Sequence, residues 1–550
     1  MIKNKKNSLL TLIFVIGLFL PAHQYGANQF FQSYTPFEFF DEEIGHVDES
    51  FNEYLQTRSC SIAPETVLDL LTGEQIGIQN VLQQNLYKRT NPTVTRSILE
   101  LPYFQNITPT HAGLSCCAHH SSFECSLFFN QTKEKYYYKD FDAIRDYLGA
   151  FDNDFIEVFE KLSQKIHQLV PDAALISVDT ILSLFSNIKL EERRAGALFG
   201  WTHRSPRYKI QAQIPLYYIE HNFMLTEKEQ GEITNEPFIK SLIQDQPAQD
   251  PNAVNKAIRE HVAEDLLGLG DLKLIALITG CCGNLELAVG PEIIFPSACV
   301  FTDKLIGGRF EKCPNQPTVD FMVFACGLED GYGQKELDIA KALGLGIIER
   351  LTRIAGNTNL GQGYLSAFAR AEAEYHMTSS FSHRHMARLG AGTSYYTTRF
   401  FNEIKDAASF NRDYSIEADV QKNLQFLQDQ LVSSLYPIPR TVRITPGPRF
   451  EYRGALKKEH WAGNLECGYD FWFQGADQVS AKVPHSSHFP LDVLAAKPSN
   501  AFENKLFASL TWSGNRNEHF WSISLFGDYT FYSSGTGNDW SAGFSAHIHW

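Results

Sequence analysis

The sequence has little positive charge, little methionine and no hydrophobic run long enough to cross a bilayer as a helix. Only 48 basic side chains stand against 63 acidic ones, a formal charge of −15, and no Lys/Arg cluster follows the first few residues. A nucleic-acid binder needs a basic footprint to release counterions, so no nucleic acid is expected as a partner. Past the N-terminus the longest apolar stretch is Leu274 to Cys282, far short of the roughly 20 residues a spanning helix requires. If the chain crosses a membrane, it does so with strands. The ten cysteines include no CxxC pair and no Cys/His spacing of a zinc site, so neither a metal nor a cofactor is expected. No fixed-period repeat and no low-complexity tract occurs.

What is present is aromatic: 41 Phe, 23 Tyr and 7 Trp in 550 residues, within a composition that is 43% hydrophobic. Such rings suit a boundary between apolar and wet surroundings. The length accommodates two or three domains or a single large barrel. Lys3, Lys5 and Lys6 precede an apolar run from Leu9 to Leu20, which reads as an export signal occupying 1–27 and cleaved between Ala22 and Ala27. Disulfides persist in an exported chain, although their pairing stays open.

The last twelve residues alternate without a fault, Trp540, Ala542, Phe544, Ala546, Ile548 and Trp550 opposing Asp539, Ser541, Gly543, Ser545, His547 and His549. That is a two-faced strand, and at this composition the pattern has a chance of roughly 2 in 10,000 at one fixed place. Trp521, Ile523, Leu525, Tyr529 and Phe531 repeat it. So do Leu465 to Phe473, Leu365 to Tyr375, Ile210 to Tyr218, and the short Arg449–Arg453 segment, each with its charges on one face. These runs reach roughly 10 to 16 residues, longer than the 5 or 6 typical of a sandwich strand and long enough for a tilted membrane strand. Connections alternate too. The short ones fall at His203–Pro206, Met377–Arg384, Lys458–Trp461 and Ser513–Asn517; the long ones at Thr226–Gly268, Asn402–Pro439 and Gly475–Glu503. Short periplasmic turns and long external loops are the habit of outer-membrane barrels.

The predicted fold is therefore all-β, a transmembrane antiparallel up-and-down barrel over 91–550. It has about 14 to 16 strands if Leu343–Leu351 counts as one. Helical periodicity marks inserts at Phe141–Val170, Asn252–Leu267 and Glu417–Leu431. Residues 28–90 lack clean alternation and read as a periplasmic segment or a plug.

On these features the chain resembles bacterial outer-membrane β-barrel proteins. Their C-terminal strand ends on an aromatic residue preceded by alternating apolar positions, occupied here by Ala542, Phe544, Ala546, Ile548 and Trp550, with Trp where Phe is more usual. The resemblance implies that these five form the insertion signal read by the barrel-assembly machinery, and that outer-membrane lipids surround the protein. A looser likeness is to long-chain fatty-acid and aromatic-hydrocarbon transporters, through strand number, an N-terminal plug and Gly268-Leu269-Gly270-Asp271-Leu272 opening a strand; the Asn-Pro-Ala motif of that family is missing.

The polar faces direct Lys209, Arg370, Glu372, Glu374, Arg388, Arg443, Arg449, Glu451, Arg453, Glu466 and Asp470 toward a lumen. A mixed-charge wall can select a small solute, and the same residues can instead pair across strands and fill the barrel. No catalytic group is nominated: His485-Ser486-Ser487-His488 holds nucleophile and base types but reads as an ordinary loop. His119/His120, His383/His385 and His547/His549 are not read as metal ligands; His547 and His549 share a strand face at the expected periplasmic end, where a solvated rim explains them. Two functions follow, a solute channel or transporter of the outer membrane, and a non-conducting surface barrel whose loops meet a partner. Arg at Ala369 or Leu525 is expected to cost about 2 to 4 kcal/mol on the lipid face, and Ser524→Arg far less on the lumen face.

Overall fold

The computed structural model describes residues 94–105, 120–133, 189–224, 266–298, 360–403, 436–460, 463–480, 491–498, 500–516 and 519–550, with a few isolated positions. All lie in one compact unit, 62–550. The export signal, the 28–90 segment, Leu343–Leu351 and the His485–His488 loop fall outside the described residues, as do the helical inserts apart from scattered positions.

Sixteen strands occur among the described residues: β1 (His120–Lys133), β2 (Lys189–Arg204), β3 (Tyr208–Met224), β4 (Leu266–Leu269), β5 (Leu272–Cys282), β6 (Leu285–Phe295), β7 (Ser366–Thr378), β8 (Phe381–Gly392), β9 (Tyr395–Phe401), β10 (Ile438–Thr445), β11 (Arg449–His460), β12 (Gly463–Gln474), β13 (Gln478–Ser480), β14 (Ala501–Arg516), β15 (His519–Ser534) and β16 (Asn538–His549). All ladders are antiparallel, and the sheet closes because β1 pairs with β2 on one side and β16 on the other while β2 also pairs with β3. The barrel has twelve wall positions rather than 14 to 16. The difference arises because β9, β10 and β13 leave the barrel for a sheet of their own, and because β4 and β5 share one position. Both pair with β3, through Leu216↔Leu269 above and Gln213↔Lys273 below. The Gly268–Leu272 phrase therefore interrupts a wall strand instead of opening one.

Period two becomes inside and outside. On β16, Ser541, Ser545, His547 and His549 are buried while Ala542, Phe544, Ile548 and Trp550 are exposed; on β7, Ser366, Arg370, Glu372 and Glu374 are buried while Ala367, Ala369 and Ala371 are exposed. The outward face keeps Leu127, Ile278, Leu389, Leu525 and many other large apolar side chains uncovered. In water so extensive an apolar belt is a liability; in a bilayer it is the lipid face.

Short turns at 205–207, 283–284 and 379–380 gather at one end. The tightest, between β5 and β6, places Gly283 at φ 60°, the left-handed conformation a two-residue hairpin demands. At the other end β9, β10 and β13 prolong β8, β11 and β12 in the same lateral order. Pro446 and Pro448 interrupt the chain between β10 and β11, since proline cannot donate to a ladder. Their sheet buries Phe401, Val442, Ile444 and Val479 against Leu491 and Ala496.

Candidate functional site

Residues 94–105, which precede β1 in the chain, do not join the wall. They lie within the lumen, forming two short 3-10 turns, Ile98–Glu100 and Pro102–Gln105. Ser97 caps the first, its hydroxyl accepting from the Leu99 N–H at 3.3 Å. One side of this plug is apolar: Ile98, Leu99, Leu101, Tyr103 and Phe104 bury against Phe128, Leu198, Tyr217, Ile294, Phe368 and Phe526 of the wall. Tyr103 stacks on Phe526, centroids 3.4 Å apart and planes 8° apart, and Phe104 meets Phe128 edge-on at 5.3 Å. Such pairs add about 0.5 to 1.5 kcal/mol each beyond their area.

The plug's polar groups are matched with equal care. Arg96 directs Nη1 to Asp470 at 2.6 Å and Glu503 at 3.1 Å, and Nη2 to Glu451 at 3.1 Å. Glu100 is held by Arg388 and Arg449, each at 2.9 Å, and accepts from Trp472 Nε1 at 3.2 Å. The backbone carbonyls are gripped as well: Arg194 donates to Arg96 O at 2.7 Å, Lys273 to Leu99 O at 2.9 Å and Phe104 O at 3.1 Å, and Arg453 to Pro102 O. Burial alone would raise the Glu100 carboxyl, but the guanidiniums of Arg449, Arg388 and Arg96 hold it below the usual range. Desolvation works against the Arg96 charge, and Asp470, Glu451 and Glu503 more than offset it.

Ten of the eleven residues assigned to the lumen from sequence face it. Lys209 pairs with Glu372 at 3.1 Å; Arg370 bridges Glu372 at 2.7 Å and Glu292 at 2.8 Å; Arg384 links Glu374 at 3.1 Å to Glu466 at 2.9 Å. Arg388 joins Glu451 at 2.6 Å and Arg453 joins Glu466 at 2.7 Å, while Arg449 and Asp470 meet the plug. Arg443 is the correction. It lies on β10, which pairs only with β9 and β13, and it is exposed opposite buried Val442 and Ile444. Strand β10 continues the β11 phase beyond the barrel, so alternation alone placed Arg443 in a lumen that has already ended.

Sequence reasoning missed Arg96 and Glu100, whose segment has no period, and Lys273, whose strand is apolar on both faces. It also missed the Lys505 cluster, where the ammonium meets Asp528 at 2.9 Å and Asp539. The five C-terminal signal residues face outward, and Trp550 closes the seam by exchanging backbone hydrogen bonds with Ser121 at 2.8 and 2.9 Å. His383 and His385 lie on the outer face, His385 against the Tyr452 hydroxyl at 3.0 Å. His547 and His549 are not at a solvated rim as read from sequence; both are buried inside the barrel, only 6% and 2% exposed.

A closed antiparallel barrel with an apolar exterior, a charged interior and an internal plug defines a membrane-spanning β-barrel of the outer-membrane type. No family model matches the chain, and no curated protein matches it in sequence. Among solved structures it is similar to an outer membrane channel from Pseudomonas putida F1, at 8% identity and a TM-score of 0.36, over 81% of this chain and 100% of that one. It is also similar to the P. putida toluene transporter TodX, at 7% identity and a TM-score of 0.26, over 85% and 96%. The outer membrane protease OmpT of Escherichia coli matches at 6% identity and a TM-score of 0.21, over 78% and 96%. At these values no solute or chemistry passes from those proteins to this one.

Proposed function

We propose that this chain is a bacterial outer-membrane barrel that passes a small solute around a built-in plug, a gated channel or transporter rather than a permanently open pore. The observation that carries the reading is a lumen walled by ion pairs. A barrel meant only to be filled gains more from apolar packing, because taking charges out of water costs several kcal/mol per ion and apolar replacement is often neutral or stabilising. A charged wall is the surface that can be wetted once the plug shifts. Lys209, Arg370, Glu372, Glu374, Arg388, Arg449, Glu451, Arg453, Glu466 and Asp470 then line the path, with the long loops outside the cell and the short turns in the periplasm. Ala542, Phe544, Ala546, Ile548 and Trp550 serve as the signal to the barrel-assembly machinery.

The test is conductance of the refolded mature protein in a planar bilayer, with heat-modifiable gel mobility to show that the barrel has formed. The wild type is expected to stay closed or flicker, and Arg96→Met and Glu100→Gln, which cut the plug's anchors, to give stable open steps. A folded barrel that is silent in both variants would overturn the proposal in favour of a structural or adhesive surface barrel.

A further inference from the structure

A cavity of about 90 Å³ opens where the plug at 94–97, wall strands β2 and β3, and the β9–β13 extension come together. Its charged lining is uneven, with Arg96, Arg194 and Arg399 against Glu192 and Asp477. The three guanidiniums are not equivalent. Arg96 commits both terminal nitrogens to carboxylates, and Arg194 is held by Asn130 Oδ1 at 2.8 Å and by Arg96 O. Arg399, on β9, has Asp477 as its ion-pair partner among the described residues, at 3.9 Å, and its buried Nε has no hydrogen-bond partner.

Asp477 is itself engaged elsewhere. It accepts from the Gly447 N–H at 3.1 Å and from the Gln474 side chain. Burial pushes its carboxyl above the usual range. Tyr364 and Tyr395 stack, centroids 4.9 Å apart and planes 26° apart, and both rings line the same cavity. A planar guanidinium whose ion-pair partner among the described residues stands 3.9 Å away, beyond hydrogen-bond distance, matches a carboxylate, and a stacked pair of rings offers a face for a third.

We infer that this cavity is a binding site for a small aromatic carboxylate, its carboxylate on Arg399 and its ring against Tyr395. The inference deepens the proposed transport role and rests on it for its biological meaning; the binding itself does not. The chemistry discriminates in a stated way. A neutral analogue forfeits the charge-assisted bonds to Arg399, and a cationic one meets an excess of guanidinium.

The experiment is calorimetric titration of the refolded mature protein in detergent with benzoate, benzyl alcohol and benzylamine. Benzoate is expected to bind saturably, and the alcohol and amine at least about tenfold more weakly. Arg399→Gln should erase the preference for benzoate over the alcohol, and Tyr395→Leu should weaken both. Absence of saturation by benzoate in heat-modifiable protein, equal binding of the alcohol or amine, or a preference that survives Arg399→Gln would overturn the site. If Arg399→Gln does not fold, the three-ligand comparison and Tyr395→Leu decide it. Titration in detergent does not need an open pore, so failed binding refutes the site, whereas silent plug variants in the bilayer refute the channel.

Discussion

Arg96 and Asp470 meet at 2.6 Å inside the barrel although 374 positions separate them in the chain. Neither side chain is more than 1% exposed, so neither can exchange its partner for water. Removing one end of a buried pair costs about 3 to 5 kcal/mol, because the other charge is left buried and uncompensated. Arg96→Met orphans Asp470 and takes one partner each from Glu451 and Glu503, which keep Arg388 and Lys505. Its urea midpoint should fall, and protease cleavage near 94–105 should appear before the barrel loses its heat-modifiable mobility. Asp470→Asn should cost less, since Arg96 keeps Glu451 and Glu503.

Glu100 gives a pH dependence whose sign is fixed by its environment. Its folded pKa lies below the ordinary value, so the stabilisation it lends is fully present above the unfolded value of about 4.3 and is lost as pH falls through the folded pKa. Glu100's share of the plug's hold should therefore persist at pH 5 and be lost only in stronger acid. Conductance recorded from pH 7 downward on the wild type and on Glu100→Gln checks this: a difference between the two that has already vanished at pH 5 would contradict it.

Lys273→Met tests the grip on the plug backbone without disturbing its side chains. The ammonium donates to Leu99 O and Phe104 O, and leaving buried acceptors unsatisfied costs about 1 to 3 kcal/mol. A lowered urea midpoint with wild-type heat modifiability is expected.

The lipid face is tested at Leu525, which is 50% exposed on the barrel exterior. Leu525→Arg should cost about 2 to 4 kcal/mol near the midplane, while Leu525→Phe should be nearly neutral. The sequence-based expectation that Ser524→Arg is well tolerated has to be revised. Ser524 is 4% exposed, with its hydroxyl 2.8 Å from that of Thr511, and overpacking a filled interior costs about 1 to 3 kcal/mol before any charge is counted. The Arg/Phe comparison in urea titration is therefore the cleaner test, and equal losses would contradict the assigned faces.

Deleting Trp550 should lower the yield of inserted protein more than Trp550→Phe does. Its backbone closes the seam against Ser121, which the deletion removes and the substitution keeps. Membrane-fraction yield reads the difference.

The barrel was legible because its strands obey one local rule. A lipid face and a polar face force period two, so Lys209 and Glu372 could be placed inside without knowledge of their partners. Strand count was less legible, because β10 and β13 keep the same period after leaving the barrel and Arg443 carries no mark of that departure. The plug was illegible in detail for the opposite reason: Arg96 precedes and Glu100 ends the first of two short 3-10 turns, their partners come from several strands around the lumen, and no spacing along 94–105 records which strands those are. Lys273 was hidden in a strand that is apolar both to lipid and to the plug.

The plug's location at the front of the chain sets an order of events during biogenesis. Its anchors on Glu451, Asp470, Glu503 and Ser545 lie 355, 374, 407 and 442 positions downstream, so residues 94–105 emerge long before anything exists to hold them. Contacts this distant carry a large loop-closure cost and form late. Until β16 reaches β1, Arg96 and Glu100 remain hydrated on an open sheet, and the rings of Tyr103 and Phe104 are exposed to misassociation. Sealing the seam and seating the plug thus become one terminal step, and a chain that stalls before its last strand is left with an unguarded interior.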